Sequence, residues 1–494
     1  MDYPFAYEKI APTTWAYFSS LLMLALFFKF NRFWSIRNFD LFLIIFLAPG
    51  IILIDFGNRL ELAGTVQPPI PIESTEQPYS NPDLLSAAPA KIENGDLDAR
   101  QILLLRGQRN QRVGYYWLLV VCLVFLVRSL VDPFLVRRPL LSPNLSIGGL
   151  VFLMCSLMTF LYANILTSQP TADDLAAAKA SIKLIKREVA QEDETQELEK
   201  RGPGLPLFQL FPMIPTFSNG QEILDADLDE NRNVRRLAIA SKSLAIFSQS
   251  ALVLGLILIG QFLFSNAKVG FGMACVYLLL PYTGQYMGNV SHVLPGAMLV
   301  WAMLCIRRPL IAGLFIGLAS GTVYYPIFLL PLWISFYWEK GVRDFAVGVL
   351  IALTICIATL AFTSSDLAHF GAQLRTTFGF WVPKMTGLDG IWGLGWDSIY
   401  RLPILVAFVS LCVSFVFWPT EKNVGTMCAY TAAVMLGVQF WHGFEGGLIM
   451  AWFMPTLLMT IFRPNTVGRD AKNELKERRV SKPESPGDLL GEAA

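Results

Sequence analysis

From Pro309 to Trp338, thirty residues run without a charged side chain. One crossing of a bilayer core takes about 20 apolar residues and two take about 40. The stretch is too long for one straight helix and too short for two. Within it, Pro326 and Pro331 in "GTVYYPIFLLPLW" interrupt helical hydrogen bonding. Broken backbone at membrane depth is tolerated only where protein or a cavity covers it. The piece is therefore expected as two short, tilted or re-entrant helices lining a pocket.

The rest of the chain agrees with a membrane setting. Hydrophobic residues make up 54% and charged residues 16%, against roughly 25% charged in soluble domains. Apolar segments recur near 15–29, 40–55, 114–128, 146–166, 243–264, 269–284, 293–306, 345–363, 402–418, 424–440 and 446–462. With the split piece counted as two, this predicts an all-α polytopic transmembrane bundle of about 13 spans. The expected organisation is a four-span region at 1–166 with a loop at 56–113, a loop at 167–242 carrying an amphipathic helix, a bundle at 243–462 with a loop at 364–401, and a polar, disordered tail at 463–494.

The short loops set the expected orientation. Those at 29–38, 129–145, 265–268, 307–308, 339–344 and 419–423 contain Lys or Arg, whereas 285–292 and 442–445 contain neither. By the positive-inside rule the tail is cytoplasmic and the N-terminus outside, as in a multi-pass protein of the cell membrane. Two arginine clusters stand against this scheme: Arg106, Arg109 and Arg112, and Arg232, Arg235 and Arg236, on the side read as outer. Basic residues are scattered rather than gathered in one stripe, so nucleic acid is not an expected partner. The seven cysteines lie in apolar segments without CxxC spacing and read as small buried hydrophobes.

The outer loops differ in character. "TADDLAAAKASIKLIKREVAQEDETQELEK" opens with a capping pattern from Thr171 to Asp174 and places Leu175, Ile182, Ile185 and Val189 on one helical face. "GPGLPLFQLFPMIPTF" reads as too proline-broken to span and suits an interfacial segment.

No ionisable residue falls in the middle of a predicted span; Asp40, Arg128 and Asp132 read as lying at ends or in loops. Ion-coupled transporters place such groups at membrane depth, so chemistry is expected at the outer face instead. Asp55, in "LIDFGNRLE", is a candidate general base at a span end, or an interface residue solvated by headgroups. Asp96 with Asp98, and Asp227 with Asp229, are spaced to share a divalent cation, although Glu230 stands where a calcium loop needs glycine. Trp392 and Trp396 beside Asp397 could stack on and hydrogen-bond a sugar, or form an aromatic belt. Gln285 and His292 could hold a polar headgroup, and His442 with Glu445 could exchange a proton.

The order "GQ" at 284–285, "RRP" at 307–309, "AGLFIGLASG" at 312–321, "YYP" at 324–326 and "LLPLW" at 329–333 resembles polyprenyl-phosphate-dependent membrane glycosyltransferases of the GT-C superfamily over roughly residues 265–345. The chain carries Tyr324 and Tyr325 where that family's usual lysine precedes the proline. The resemblance implies short or broken helices beside a lipid-carrier cavity, with Tyr325 at its wall. It also implies an acidic residue in the first large outer loop, for which Asp55, or Asp96 with Asp98, is in position. The implied activity is sugar transfer from a polyprenyl-phosphate donor at the extracytoplasmic face. A non-enzymatic envelope assembly protein with protein partners, or a transporter of lipid-linked sugar, is the alternative.

Overall fold

The computed structural model describes residues 10–65, 99–135, 141–188, 201–216, 230–378 and 385–464. The chain is all-helical, with no strand among the described residues. The helices are α1 (Pro12–Phe27), α2 (Ile36–Ile45), α3 (Leu47–Thr65), α4 (Ala99–Val131), α5 (Ile147–Thr167), α6 (Ala172–Lys186), α7 (Gly204–Thr216), α8 (Glu230–Phe262) and α9 (Ala267–Leu279). They continue as α10 (Pro281–Tyr286), α11 (Val290–Leu304), α12 (Pro309–Thr322), α13 (Leu330–Tyr337), α14 (Val342–Phe362), α15 (Leu367–Phe378), α16 (Arg401–Phe417), α17 (Val424–Trp441) and α18 (Met454–Phe462). Among the described residues, seven helical stretches are long and apolar enough to cross a membrane: Ile36–Thr65, Arg100–Phe134, Ile147–Thr167, Val234–Phe262, Val342–Phe362, Ser398–Phe417 and Val424–Trp441. Long side chains such as Phe152, Val120, Leu350 and Val406 stay exposed along them, as lipid-facing residues do.

Side-chain caps fix several helix starts. Ser146 accepts from Gly149 N, Asn266 from Val269 N, and Asn423 forms a reciprocal capping box with Thr426. The thirty-residue uncharged piece is two helices, as expected. Its break falls at Thr322–Tyr324, ahead of a 3-10 turn at Tyr325–Leu329. Pro326 and Pro331 sit in the first turns of the elements that follow, where the missing N–H costs nothing, so they start helix rather than end it. Gly341, at φ +99, makes the turn from α13 into α14, a conformation that a side chain would strain.

Two helix pairs meet backbone to backbone. In the first, at seven-residue spacing, Gly50 and Gly57 of α3 face Gly114 and Gly107 of α4, and Gly64 faces Leu104 and the Arg100 carbonyl. A Cβ at Gly57 would lie 2.7 Å from Gly107 O, and one at Gly114 would lie 2.8 Å from Gly50 O. In the second, Gly313 and Gly317 of α12 press on the carbonyls of Phe345 and Val349 in α14 at four-residue spacing. Small residues at such intervals allow close helix approach in lipid. α17 is the central helix, with 94% of its apolar window buried, packed on α4, α16 and α18.

The bundle has two ends, here termed upper, where Ile10 and Asp55 lie, and lower. The lower end holds four buried charged groups. Asp40 lies in the second turn of α2 and Arg128 in the last turn of α4, near the span ends as expected, and both are buried. Arg128 donates to both oxygens of Asp40 at 2.8 and 3.0 Å and to Asp132 Oδ1 at 2.8 Å; Arg463 donates to Asp132 Oδ2 at 2.6 and 3.2 Å. Two cations and two anions thus neutralise one another out of water, the only condition under which such burial is tolerable.

At the upper end α6 is a helix with Thr171 as its N-cap. Its buried face is Asp174, Ala177, Ala178, Ser181 and Ile182, while Ile185 is exposed. Val189 lies outside the described residues. The helix packs on α7 and α8, where Ala178 and Ile182, with Leu175 beside them, meet Met213, Leu237 and Ala240. α7 is helical despite its prolines: Pro206 falls in the first turn, where its missing N–H costs nothing, and Pro212 lies within the helix. Its approach is held by Gly202 N donating to Thr322 O at 2.8 Å, beside the broken helix. Of the cysteines, Cys155 is exposed and Cys305 half-buried, while the other five are buried.

Candidate functional site

Asp55 and Gln285, 230 positions apart in sequence, line the same cleft at the upper end. It measures about 810 Å³ and lies between the start of α1, the outer turns of α3, the end of α5 and α10. Asn58, Arg59, Asn164 and Tyr286 add to its wall. A smaller recess of about 230 Å³ continues from it past Ser168 and Asn289 to Lys242, whose ammonium donates to Leu166 O at 2.8 Å. Trp15, stacked on Phe160 at 5.1 Å, walls the side next to α1. Only glycine at 284 allows this, since a Cβ there would meet the Trp15 indole nitrogen at 2.8 Å.

Asp55 pairs with Arg59 one turn later, Nε to Oδ2 at 3.0 Å, with the arginine half exposed. The Gln285 amide behaves differently. Both its nitrogen and its oxygen are buried, and neither has a hydrogen-bond partner. Native proteins leave few such groups; the amides of Gln209 and Gln249 are in the same state but do not line the cleft.

Behind the cleft, Tyr286 stacks on Tyr282 at 5.3 Å, and the Tyr282 hydroxyl shares a 3.0 Å hydrogen bond with His292 Nδ1. His292 is buried, one layer in from the cleft. Burial, with the nearby charges of Glu445 and Asp55, raises the Tyr286 phenol, so it stays protonated as a hydrogen-bond donor.

Tyr325 and His442 are also brought together, in a separate buried cluster. Tyr325 packs edge-on against His442 at 4.8 Å and lies 5.4 Å from Trp441 and 5.3 Å from Trp452. His442 Nδ1 accepts from Phe444 N at 3.3 Å, and burial lowers the imidazole to about 3. Trp452 donates to Ser291 O, which ties this cluster to the turn before His292.

The loop after residue 385 folds onto the turn that follows α17. Asp389 N donates to Gly443 O at 2.9 Å, and Gly390 abuts Glu445, which holds a left-handed φ of 54. Trp392 is buried in this contact, whereas Trp396 is exposed, edge-on to Trp392 and hydrogen-bonded to the Tyr116 hydroxyl. Asp397 is exposed and caps its own turn through Ile399 N at 3.0 Å. Asp96, Asp98, Asp227 and Asp229 lie outside the described residues. Among the described residues no group of three or more His, Cys, Asp or Glu converges as a metal centre.

Asn164 and Trp15 were missed in the sequence. The one signal for Asn164 was a lone amide inside the apolar run "FLYANIL". No family model, curated protein or solved structure matches this chain.

Proposed function

We propose that the chain is an integral membrane glycosyltransferase-like enzyme that moves a sugar from a polyprenyl-phosphate donor to an acceptor in the Asp55–Gln285 cleft. The observation that carries the reading is the unpartnered Gln285 amide sharing one cleft with a carboxylate and an arginine. Arg59 would turn from Asp55 toward the donor phosphate as charge builds on the leaving group. Asp55, released from its ion pair, would take the acceptor hydroxyl proton. Gln285 and Asn164 would bond sugar hydroxyls, and Trp15 offers a flat face beside them. On this reading the seven long spans, the five shorter apolar helices and α18 make roughly thirteen crossings. The upper end then faces outside, with the N-terminus there, and the lower end faces the cytoplasm of the cell membrane.

The reading gives α6 no partner-binding role, because its buried face already packs on α7 and α8. The test is purified protein with a radiolabelled polyprenyl-phosphate sugar and a panel of acceptors. Asp55→Asn should abolish transfer without changing thermal stability by more than a few degrees. Equal transfer by wild type and Asp55→Asn removes the assignment of the base, and no transfer by wild type to any acceptor removes the activity.

A further inference from the structure

The arginines that stand against the charge rule mark a second site. Arg106 and Arg109 line a groove of about 400 Å³ between α3 and α4, with Asn110 beside them and Phe56, Leu60 and Val113 as its apolar part. The cleft uses Asp55, Asn58 and Arg59 of α3, whereas this groove uses Phe56 and Leu60, on another face of the same helix. No carboxylate is among its lining residues.

Depth along α4 fits a lipid phosphate. The uncharged run from Val113 to Val127, continued to Val131 past the buried Arg128, covers roughly 27 Å at 1.5 Å per residue, close to the ~30 Å hydrocarbon thickness. Arg109 and Arg106 then stand roughly 6 and 10 Å above the core boundary, in the headgroup layer. Below them Val113, Trp117, Val120 and Val127 follow at three-, four- and seven-residue steps, which is one helical stripe, and all are exposed. A cationic head above an apolar stripe complements an anionic amphiphile in both charge and length.

We infer that the α3–α4 groove binds a phosphate-headed membrane lipid, its phosphate between Arg106 and Arg109 and its chains along Val113, Trp117 and Val120. The site is independent of the sugar-transfer reading. It gives Arg106 and Arg109 a role at the upper end, as a positively charged head for the lipid phosphate.

The test is native mass spectrometry of the full chain from mixed micelles of phosphatidylglycerol and phosphatidylcholine. Wild type is expected to retain phosphatidylglycerol preferentially. R106Q/R109Q should lower that retention by roughly tenfold or more, as two interfacial charges imply. R109Q alone, at an exposed position, should lower it severalfold and keeps the test open should the double variant misfold. Asp55→Asn, and K340Q/R343Q at the exposed basic pair of the lower end, should retain the lipid as wild type does. Wild type without preference for the anionic lipid, or R106Q/R109Q and R109Q both retaining it in full, would overturn the proposal.

Discussion

Gly57 of α3 and Gly107 of α4 touch so closely that a Cβ on either would lie within 2.8 Å of the other's carbonyl oxygen. Gly57→Leu should therefore destabilise the protein by about 1–3 kcal/mol through forced separation of the helices. Gly148, with nothing within 4 Å of a built Cβ, supplies the control: Gly148→Leu should leave the melting temperature of the purified protein unchanged. Equal melting of the two variants would contradict the close seam.

The lower ionic network predicts a non-additive pair. Asp132→Asn strands positive charge in a buried site and should cost about 3–5 kcal/mol. The double variant Asp132→Asn/Arg463→Gln restores neutrality and should cost less than Asp132→Asn alone. A double-mutant cycle of thermal stability in one detergent measures this, and simple additivity would show that the four charges do not act together.

Asp174 ties α6 to the bundle, and its carboxyl carries a pH dependence. Its Oδ2 accepts from Thr171 Oγ1 at 2.8 Å and from Val290 N at 3.4 Å, with Asp173 and Arg201 the charged groups beside it. Burial pushes the carboxyl up to about 6, above the ordinary value near ~4, so the folded state favours the protonated form. The associated stability is fully present below about pH 4 and is lost as pH rises through 6. Amide exchange in α6, corrected for its intrinsic pH dependence, should slow between pH 7 and 5 by at most about tenfold per unit. Asp174→Asn should flatten this profile, and an unchanged slope in the variant would assign the effect elsewhere.

Gln285 separates stability from activity. Its buried amide has no partner to lose, so Gln285→Leu removes a desolvation penalty of about 1–3 kcal/mol and should hold or raise the melting temperature. The same change should lower sugar transfer at least tenfold if the amide binds substrate. A fall in stability with unchanged transfer would make Gln285 a structural residue.

Much of the helix pattern was legible because apolar runs and their lengths are local properties. The uncharged stretch from Pro309 announced a broken pair, and α12 and α13 are that pair. The position of the break was harder, since proline both ends helices and begins them, and here Pro326 and Pro331 begin them. The register of α6 was legible in part: Leu175 and Ile182 pack inward as the helical period places them, while Ile185, near the helix end, stays exposed.

Candidate residues were found one at a time, and their grouping was not. Asp55 and Gln285 each drew attention as a polar group at a span end, yet nothing local says that α10 folds beside α3. Asp40, Arg128, Asp132 and Arg463 looked separate for the same reason, because pairing across hundreds of residues leaves no periodicity to read. The glycines of α3 and α4 repeat every seven residues, but each row gains meaning only opposite the other.

Arg463 reaches Asp132 across 331 positions of chain, which gives the ion network a role in time as well as in space. During synthesis α2 and α4 enter the membrane long before Arg463 leaves the ribosome, so Asp132 must wait beside Arg128 for its second arginine. α18 therefore delivers a second cation to the network, and a nascent chain halted just short of it should stay open to protease. Assembly of the ion network is in this sense gated by the end of α18.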